Sequence, residues 1–124
     1  MNIKVSIGEL LDKITILEIK LKKISDPSKK NNIRKEYSHL INACRFIKNI
    51  PLELMSELSQ VNCDIWDIED RIREKEREKK FDDEFIELAR SVYFNNDKRA
   101  EIKKLINLQT SSELIEEKSY EDYV

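Results

Sequence analysis

Turn-forming residues are almost missing from this chain, which has one glycine and two prolines among its 124 residues. Sandwiches and barrels need frequent tight turns, and glycine and proline are the residues that usually form them. The composition therefore favours long helices, and a mass of 14.8 kDa fits a single helical domain over residues 1–124. The lack of spaced glycines also excludes the phosphate-binding loops of P-loop and dinucleotide-binding proteins.

The charges of the chain are nearly balanced, with 23 basic and 25 acidic residues. A surface without strong positive potential does not attract nucleic acid or anionic membranes, so we expect neither partner. No apolar run is long enough for a membrane span or a signal peptide, which favours a cytoplasmic protein. Only His39, Cys44 and Cys63 offer nitrogen or sulfur ligands. The sequence therefore predicts no metal site and no cofactor, and both cysteines are expected to be free thiols.

Capping residues mark the beginnings of the first two helices. Residues 1–6 alternate apolar and polar side chains, which predicts a short extended arm. Ser6 is followed three residues later by Glu9, the spacing of a capping box, so helix one is expected to begin at Ile7. The Asp-Pro pair at 26–27 supplies an N-cap and a proline at the first helical position, which predicts a second helix.

The second half of the chain predicts further helices. Pro51 opens a long third helix, whose heptad seam continues into a charged run. An aspartate at 82 or 83 can cap a fourth helix, and the polar stretch 95–97 predicts a break before a fifth. Thr110 begins another capping-box spacing and predicts a last short helix, after which residues 119–124 are expected to fray. The predicted fold class is all-α, a small helical bundle of four to six helices with a long third helix and a short extended N-terminal arm.

Helix one carries apolar side chains on two faces. One broad arc is almost entirely aliphatic, and Ile16 and Ile19 lie on nearly the opposite side. The neighbours within so small a chain cannot easily cover both faces. The sequence therefore predicts self-association through Ile16 and Ile19, with a dimer favoured. The alternative is that helix one is the central helix of a monomer.

Glu18 lies inside the main apolar arc of helix one. An unpaired carboxylate would be costly to bury there, so a cationic or donor partner is expected. One interpretation is a glutamate at the edge of the core that extends out to solvent or forms an internal ion pair. The other is a carboxylate with a raised pKa in a cleft, where it can act as an acid or a base.

Trp66, Glu69 and Arg73 share one strip of helix three, which we call the Trp66 strip. An aromatic plane beside an acid and a guanidinium can bind a planar or anionic group, and Trp and Arg are also enriched at protein interfaces. The alternative interpretation is a boundary tryptophan beside a local ion pair of little energetic value.

A group of polar and cationic side chains is expected around the stretch 95–97. Arg90 and Tyr93 precede this stretch, and Arg99 and Lys103 follow it one turn apart. Such a group could hold an anion. The alternative is a set of solvated cations that are favourable near a helix C-terminus.

Five segments carry a family resemblance: Val5–Lys20, Trp66–Glu76, Phe85–Tyr93, Asn96–Arg99 and Glu116–Tyr120. They resemble a family of short bacterial and phage proteins that is catalogued only as a domain of unknown function. The resemblance covers most of the chain except helix two. It implies a genetic neighbourhood of sugar transferases for surface polysaccharide, and it implies no established activity or catalytic residues.

Two functional hypotheses follow from these features. The first is a non-enzymatic interaction or scaffold module that self-associates and presents the Trp66 strip to a partner enzyme, as an accessory to surface-polysaccharide or glycan assembly. The second is a small-molecule enzyme or binder. In it, Arg73, Arg90 and Arg99 hold an anionic substrate such as a nucleotide sugar, and Glu18 or Glu69 acts as acid or base. The second hypothesis requires three helices to converge.

Overall fold

The computed structural model describes residues 1–123 and confirms the all-α class. Its four helices are α1 (Ile7–Lys23), α2 (Pro27–Cys44), α3 (Leu52–Glu78) and α4 (Asp83–Gln109). Residues 1–6 precede α1 without helix or strand, and the described part of the chain contains no strand. At the usual rise per residue, α3 and α4 are each about 40 Å long and α1 is about 25 Å long. Within residues 1–123, no helix combines the length and apolar character needed to cross a bilayer.

Side-chain caps fix the beginnings of α1, α2 and α4 as the sequence predicts. Ser6 Oγ accepts a hydrogen bond from the Glu9 N–H, and the Asp-Pro pair at 26–27 caps α2 in the same way. Asp82 accepts from the Phe85 N–H at the beginning of α4. Each cap satisfies a backbone donor that the first helical turn leaves unpaired. These three boundaries are confirmed.

The predicted break at 95–97 is wrong, because α4 continues through this stretch without interruption. Asparagine favours breaks because its side chain competes for backbone groups. Here the amides support the helix instead: Asn95 Nδ2 donates to the Ser91 carbonyl at 2.8 Å, and Asn96 Oδ1 accepts from Arg99 at 2.7 Å. The predicted fourth and fifth helices are therefore one helix.

The predicted last helix at Thr110 is also wrong. Thr110 ends α4, and its N–H bonds to the Ile106 carbonyl. Ser111 then takes a left-handed conformation with a φ of 55°. Residues 113–123 return alongside α4 without forming a helix or strand. The predicted frayed end, 119–124, includes residue 124, which lies outside the described residues.

α1 is the central helix of the bundle, because it contacts each of the other three helices. Both of its apolar faces are used within one chain. Leu11 and Ile14 belong to the main core, and Ile19 on the second face is only 6% exposed. Ile16 is half-buried. One chain thus covers Ile19 and leaves Ile16 partly accessible, and the interface between copies at these two residues stays a prediction.

The hydrophobic core lies where α1 crosses the hairpin of α3 and α4. Leu58 and Ile106 are fully buried at its centre, and full burial of such a side chain stabilises a fold by about 1.5–3 kcal/mol. Tyr37, Leu40 and Cys44 of α2 pack against its side. The buried members of the core are Leu10, Leu11, Ile14, Leu54, Leu58, Val61, Ile65, Ile102 and Ile106.

The hairpin of α3 and α4 extends past the end of α1. That end lies near Asp67, whose carboxylate is 3.9 Å from Lys23 Nζ. The heptad seam of α3 is accordingly buried at Ile65 and only half-buried at Ile68 and Ile72.

Ionic contacts hold the tip of this hairpin together. The Lys75 side chain is 6% exposed, and its Nζ lies 2.7 Å from Asp82 and 3.3 Å from Glu84. Arg71 donates to the same Glu84 carboxylate at 2.6 Å. The charged run that follows the seam thus connects α3 to the first turn of α4.

Candidate functional site

A buried polar cluster lies between α1 and α3, inside an otherwise apolar core. Asn62 is 3% exposed, and its Nδ2 donates to Asp12 Oδ1 and to Thr15 Oγ1, both at 2.8 Å. Thr15 Oγ1 donates in turn to the Asp12 carbonyl at 2.7 Å. Buried polar groups are tolerated when they are hydrogen-bonded, so this satisfied cluster fixes how α1 sits on α3.

Arg99 joins this cluster from α4. Its Nη1 donates to Asn62 Oδ1 at 3.1 Å, and its Nη2 donates to Asn96 Oδ1 at 2.7 Å. Both acceptors are neutral amides, and within residues 1–123 Arg99 forms no salt bridge with a carboxylate. The guanidinium is therefore fixed in orientation, while its charge is not neutralised by direct pairing.

Lys103, one turn after Arg99, is surrounded by carboxylates. Its Nζ is 2.5 Å from Glu9, 3.6 Å from Glu116 and 3.9 Å from Asp12. Burial is the largest single influence and opposes the charged amine, but the three carboxylates together outweigh it and raise the pKa of Lys103. Burial also opposes the charge on Glu9, and the contact with Lys103 nevertheless holds the pKa of that carboxyl below 4.5. Both groups are therefore charged near neutral pH.

Side chains hold the N-terminus of α1 against the end of α4. The Gly8 N–H donates to Asn107 Oδ1 at 2.6 Å, and the preceding N–H donates to Ser112 Oγ at 3.0 Å. The N-cap hydroxyl of Ser6 donates to the Glu116 carboxylate at 2.6 Å. These contacts place the first turn of α1 beside α4 and beside the segment that follows α4.

A groove of about 550 Å³ opens over Arg99 and Lys103, between α4 and the returning segment 113–123. We call it the α4 groove. Its volume is within the range of small-molecule sites in proteins. The returning segment contributes Glu116, Glu117, Lys118 and Tyr120, and the wall on α4 consists of Asn96, Asp97, Arg99, Ala100, Glu101, Lys103, Lys104 and Asn107.

An aromatic depression of about 440 Å³ adjoins the α4 groove and shares Asn96, Asp97 and Tyr120 with it. Tyr93 and Tyr123 meet there edge to face, with ring centroids 5.4 Å apart. The Tyr123 hydroxyl donates to the Asp97 carboxylate, and this hydrogen bond raises the pKa of Tyr123 to about 12. The two cavities together present charged groups at one end and aromatic rings at the other.

The predicted group around 95–97 is only partly assembled. Arg99 and Lys103 line the α4 groove, and Tyr93 lines the aromatic depression. Arg90 lines neither cavity, because its guanidinium lies over the Phe94 ring, 5.8 Å from the ring centroid.

The Trp66 strip forms a separate depression of about 280 Å³ together with Asp70. Arg73 folds back on its own helix, with Nη1 3.5 Å from the Glu69 carboxylate and 3.2 Å from the Glu69 carbonyl. None of these residues lines the α4 groove. The second hypothesis requires Arg73, Arg90 and Arg99 to converge on one site. This prediction is wrong, since only Arg99 of the three lines the groove.

Glu18 is exposed, which fits the interpretation of a glutamate at the core edge that extends to solvent and contradicts the interpretation of a carboxylate in a cleft. A helical wheel gives the direction of a side chain but does not say which neighbouring helix covers that direction. The pKa of Tyr37 is raised, mainly by burial of its hydroxyl and to a smaller extent by the nearby charge of Glu18. Glu18 does not line the α4 groove.

Several residues of the site are not identified by the sequence analysis, notably Asp12, Asn62 and Glu116. Asn62 carries a detectable signal, because it falls inside the heptad seam between Val61 and Ile65. A polar side chain at such a position must find partners in the core. Glu116 carries no comparable signal, since its contacts depend on the path of the chain after α4.

Comparison with known proteins gives one match. A family model described as a family of unknown function (DUF6165) matches residues 1–124, so the match includes α2. Neither the comparison with curated proteins nor the comparison with solved structures gives a match.

Proposed function

Because the chain belongs to this family of unknown function, and membership assigns no activity, we propose from the geometry of the α4 groove that the protein binds a small anionic molecule without transforming it. The observation that carries this proposal is the orientation and pairing of the Arg99 guanidinium. Its guanidinium is held by the amides of Asn62 and Asn96 and lines the groove without a carboxylate partner among residues 1–123. A guanidinium fixed in this way can bond an oxyanion with little further ordering.

The other walls of the groove fit a ligand with two unlike ends. Lys103 and Lys104 lie on the same wall of α4 as Arg99, and Asn96 and Asn107 add amide groups. The adjoining aromatic depression offers the rings of tyrosines to a less polar part of the ligand. A sugar phosphate or a nucleotide sugar has this division into a charged end and a ring.

The carboxylate of Glu9, which contacts Lys103 of the groove, favours binding over acid–base catalysis. A catalytic acid near neutral pH needs a raised pKa, whereas the contact with Lys103 holds the pKa of Glu9 below its ordinary value. The two glutamates considered as catalytic groups, Glu18 and Glu69, lie outside the groove. The role we propose is therefore that of a binding protein.

The resemblance to a family encoded beside sugar transferases suggests which ligands to test first. In a thermal-shift screen we expect nucleotide sugars or sugar phosphates to raise the melting temperature. A ligand that binds only the folded state adds about 2.7 kcal/mol of stability at a hundredfold excess over its dissociation constant. Neutral sugars at the same concentration are the control. If phosphorylated sugars have no more effect than neutral ones, the proposal is wrong.

A second candidate function is the interaction module, as an accessory that self-associates or docks on a partner enzyme of glycan assembly. Its support is the tip of the α3 and α4 hairpin, where Phe81 is 56% exposed and Ile86 is 53% exposed. Large exposed apolar side chains at one end of a helical hairpin suit a protein partner. Light scattering at micromolar concentration tests self-association, and a Phe81→Ser/Ile86→Ser variant should reduce any oligomer that forms through the tip.

A further inference from the structure

The segment after α4 crosses the α4 groove as an extended strap, which we call the C-terminal strap (113–123). It contains no helix or strand. Ser112 anchors its beginning by accepting a hydrogen bond from the first N–H of α1 and donating to the Leu114 carbonyl at 2.8 Å. Beyond this anchor, side-chain contacts hold the strap against the body of the protein.

Two of these contacts are exposed ion pairs. Glu113 lies 3.0 Å from Lys4, with both side chains about 70% exposed, and Glu117 lies 3.1 Å from Lys104. Exposed ion pairs contribute little to stability, because water and salt screen them and because long side chains lose freedom when they pair. These two ion pairs therefore hold the strap only weakly at Glu113 and Glu117.

The position of Glu116 gives the strap a further role. Its carboxylate accepts from Ser6 Oγ at 2.6 Å and lies 3.6 Å from Lys103 Nζ, and it lines the α4 groove with Glu117. A carboxylate is itself an oxyanion, and the carboxylates of Glu116 and Glu117 lie beside two cations that line the groove, Lys103 and Lys104. An anionic ligand of the groove would compete with these two carboxylates for the two ammonium groups.

We propose that the C-terminal strap is a built-in competitor of the α4 groove, in which Glu116 and Glu117 occupy the position of the ligand's anionic group. The proposal rests on the proposed function of the groove and adds its regulation. It also narrows the class of ligand. A neutral molecule gains nothing at these donors over the carboxylates, whereas a phosphate or pyrophosphate group carries more charge and more acceptor oxygens than one carboxylate. The ligand class is therefore a phosphorylated or pyrophosphorylated molecule, whose binding displaces the carboxylates of Glu116 and Glu117 from Lys103 and Lys104.

The test compares pyrophosphate binding to the full-length chain and to the double variant Glu116→Gln/Glu117→Gln by isothermal titration calorimetry. We expect the variant to bind more tightly by about fivefold or more, the lower end of the range for coupling between two sites. The control is Glu76→Gln/Glu78→Gln, which makes the same change in net charge on exposed residues of the hairpin tip, outside the groove. It should bind as the unaltered chain does.

A second measurement follows the strap itself. In ¹⁵N-labelled unaltered chain, saturation with pyrophosphate should move the amide signals of Glu116 and Glu117 toward positions typical of an unstructured peptide and leave the amide signal of Tyr123 in place. Equal affinity of the unaltered chain and the double variant, with signals of Glu116 and Glu117 that do not move, would overturn the competitor and leave the proposed function standing. If neither chain binds pyrophosphate, the proposed anion-binding function fails and the competitor fails with it.

Discussion

The only glycine of the chain, Gly8, lies so close to α4 that a Cβ atom there would stand 2.6 Å from the carbonyl oxygen of Lys103. The same Cβ would stand 2.9 Å from Asn107 Oδ1, which accepts the Gly8 N–H. Both distances are shorter than ordinary van der Waals contact, and one of the two atoms belongs to a helix backbone. The residue therefore allows α1 and α4 to approach each other at the point where the α4 groove begins.

Gly8→Ala is expected to destabilise the protein by about 1–3 kcal/mol, the usual range for overpacking. Intrinsic helix propensity acts in the opposite direction, since alanine is favoured over glycine in a helix by about 1 kcal/mol. Urea unfolding followed by circular dichroism measures the difference. The control, Ser56→Ala at an exposed position of α3, should change stability little. A Gly8→Ala chain as stable as the unaltered chain would contradict the close approach of the two helices.

Asn62 connects three helices, and its replacement tests the buried cluster. Asn62→Leu leaves Asp12 and Arg99 without the hydrogen bonds that Asn62 now provides. Asp12 is 5% exposed, and a buried polar group left unsatisfied costs about 1–3 kcal/mol, so we expect a loss of at least about 1 kcal/mol in the free energy of unfolding. The matched control is Gln60→Leu, because Gln60 is exposed and its side chain bonds, among residues 1–123, only to Asp64 on its own helix. A similar loss in both variants would argue against the role of the cluster.

The beginnings of the helices are the part of the fold that local sequence predicts best. Ser6, the Asp-Pro pair at 26–27 and Asp82 each act through side chains a few residues from the backbone groups they satisfy. Pro51 opens α3 for an equally local reason, because its ring cannot continue a helix from the preceding residues. Such signals need no knowledge of the rest of the molecule.

The α4 groove could not be predicted in the same way, because its parts are far apart in the sequence. Asn96 favours a break when it is considered alone, and only its contact with Arg99, itself bonded to Asn62, explains its place inside a helix. Glu116 depends on the turn at Ser111 and on the hydroxyl of Ser6. The spacing of Arg99 and Lys103 can be seen in the sequence, whereas the groove around them depends on tertiary packing.

The ion pair of Glu9 and Lys103 predicts how stability depends on pH. Contact with Lys103 lowers the pKa of Glu9 in the folded state below its ordinary value of 4.5. The ionised carboxylate therefore stabilises the fold at pH values above 4.5, and this contribution is lost as the pH falls through the folded pKa. Glu9→Gln should therefore lower the free energy of unfolding at about pH 7 and much less at about pH 3.

Urea unfolding at several pH values gives this difference directly. Glu57→Gln, at an exposed position of α3, is the control and should produce a small difference at every pH. If the effect of Glu9→Gln is the same at both ends of the pH range, the coupling of Glu9 to Lys103 does not contribute to stability. At alkaline pH the dependence has the opposite sign, because the contribution of Lys103 to stability falls as the pH rises. The pKa of Lys103 is raised, so its contribution is present below 10.5 and is lost as the pH rises through the folded value.

Lys75 is expected to control the local stability of the hairpin tip. Its hydrogen bond to Asp82 lowers the pKa of that carboxyl and raises the pKa of Lys75, and the pair joins the two helices across the turn. Lys75→Met should increase hydrogen exchange in residues 79–86 and leave exchange at the core residue Leu58 unchanged. The exposed Lys79→Met is the control. Unchanged exchange at the tip would show that the turn does not depend on this ion pair.

Arg99 provides the most direct mutational test of anion binding in the α4 groove. Hydrogen bonds to a charged group contribute about 1.5–3 kcal/mol, so Arg99→Gln should weaken pyrophosphate binding by about tenfold or more. Lys98→Gln removes one positive charge from the neighbouring exposed position and should leave the affinity nearly unchanged. Arg99→Lys separates orientation from charge, because a lysine keeps the charge but lacks the planar fork that bonds Asn62 and Asn96. It should retain an intermediate affinity.

The melting temperature of each variant is measured in parallel, so that a binding loss is compared only among folded chains. Equal losses in Arg99→Gln and Lys98→Gln would mean that net charge, rather than the oriented guanidinium, attracts the anion.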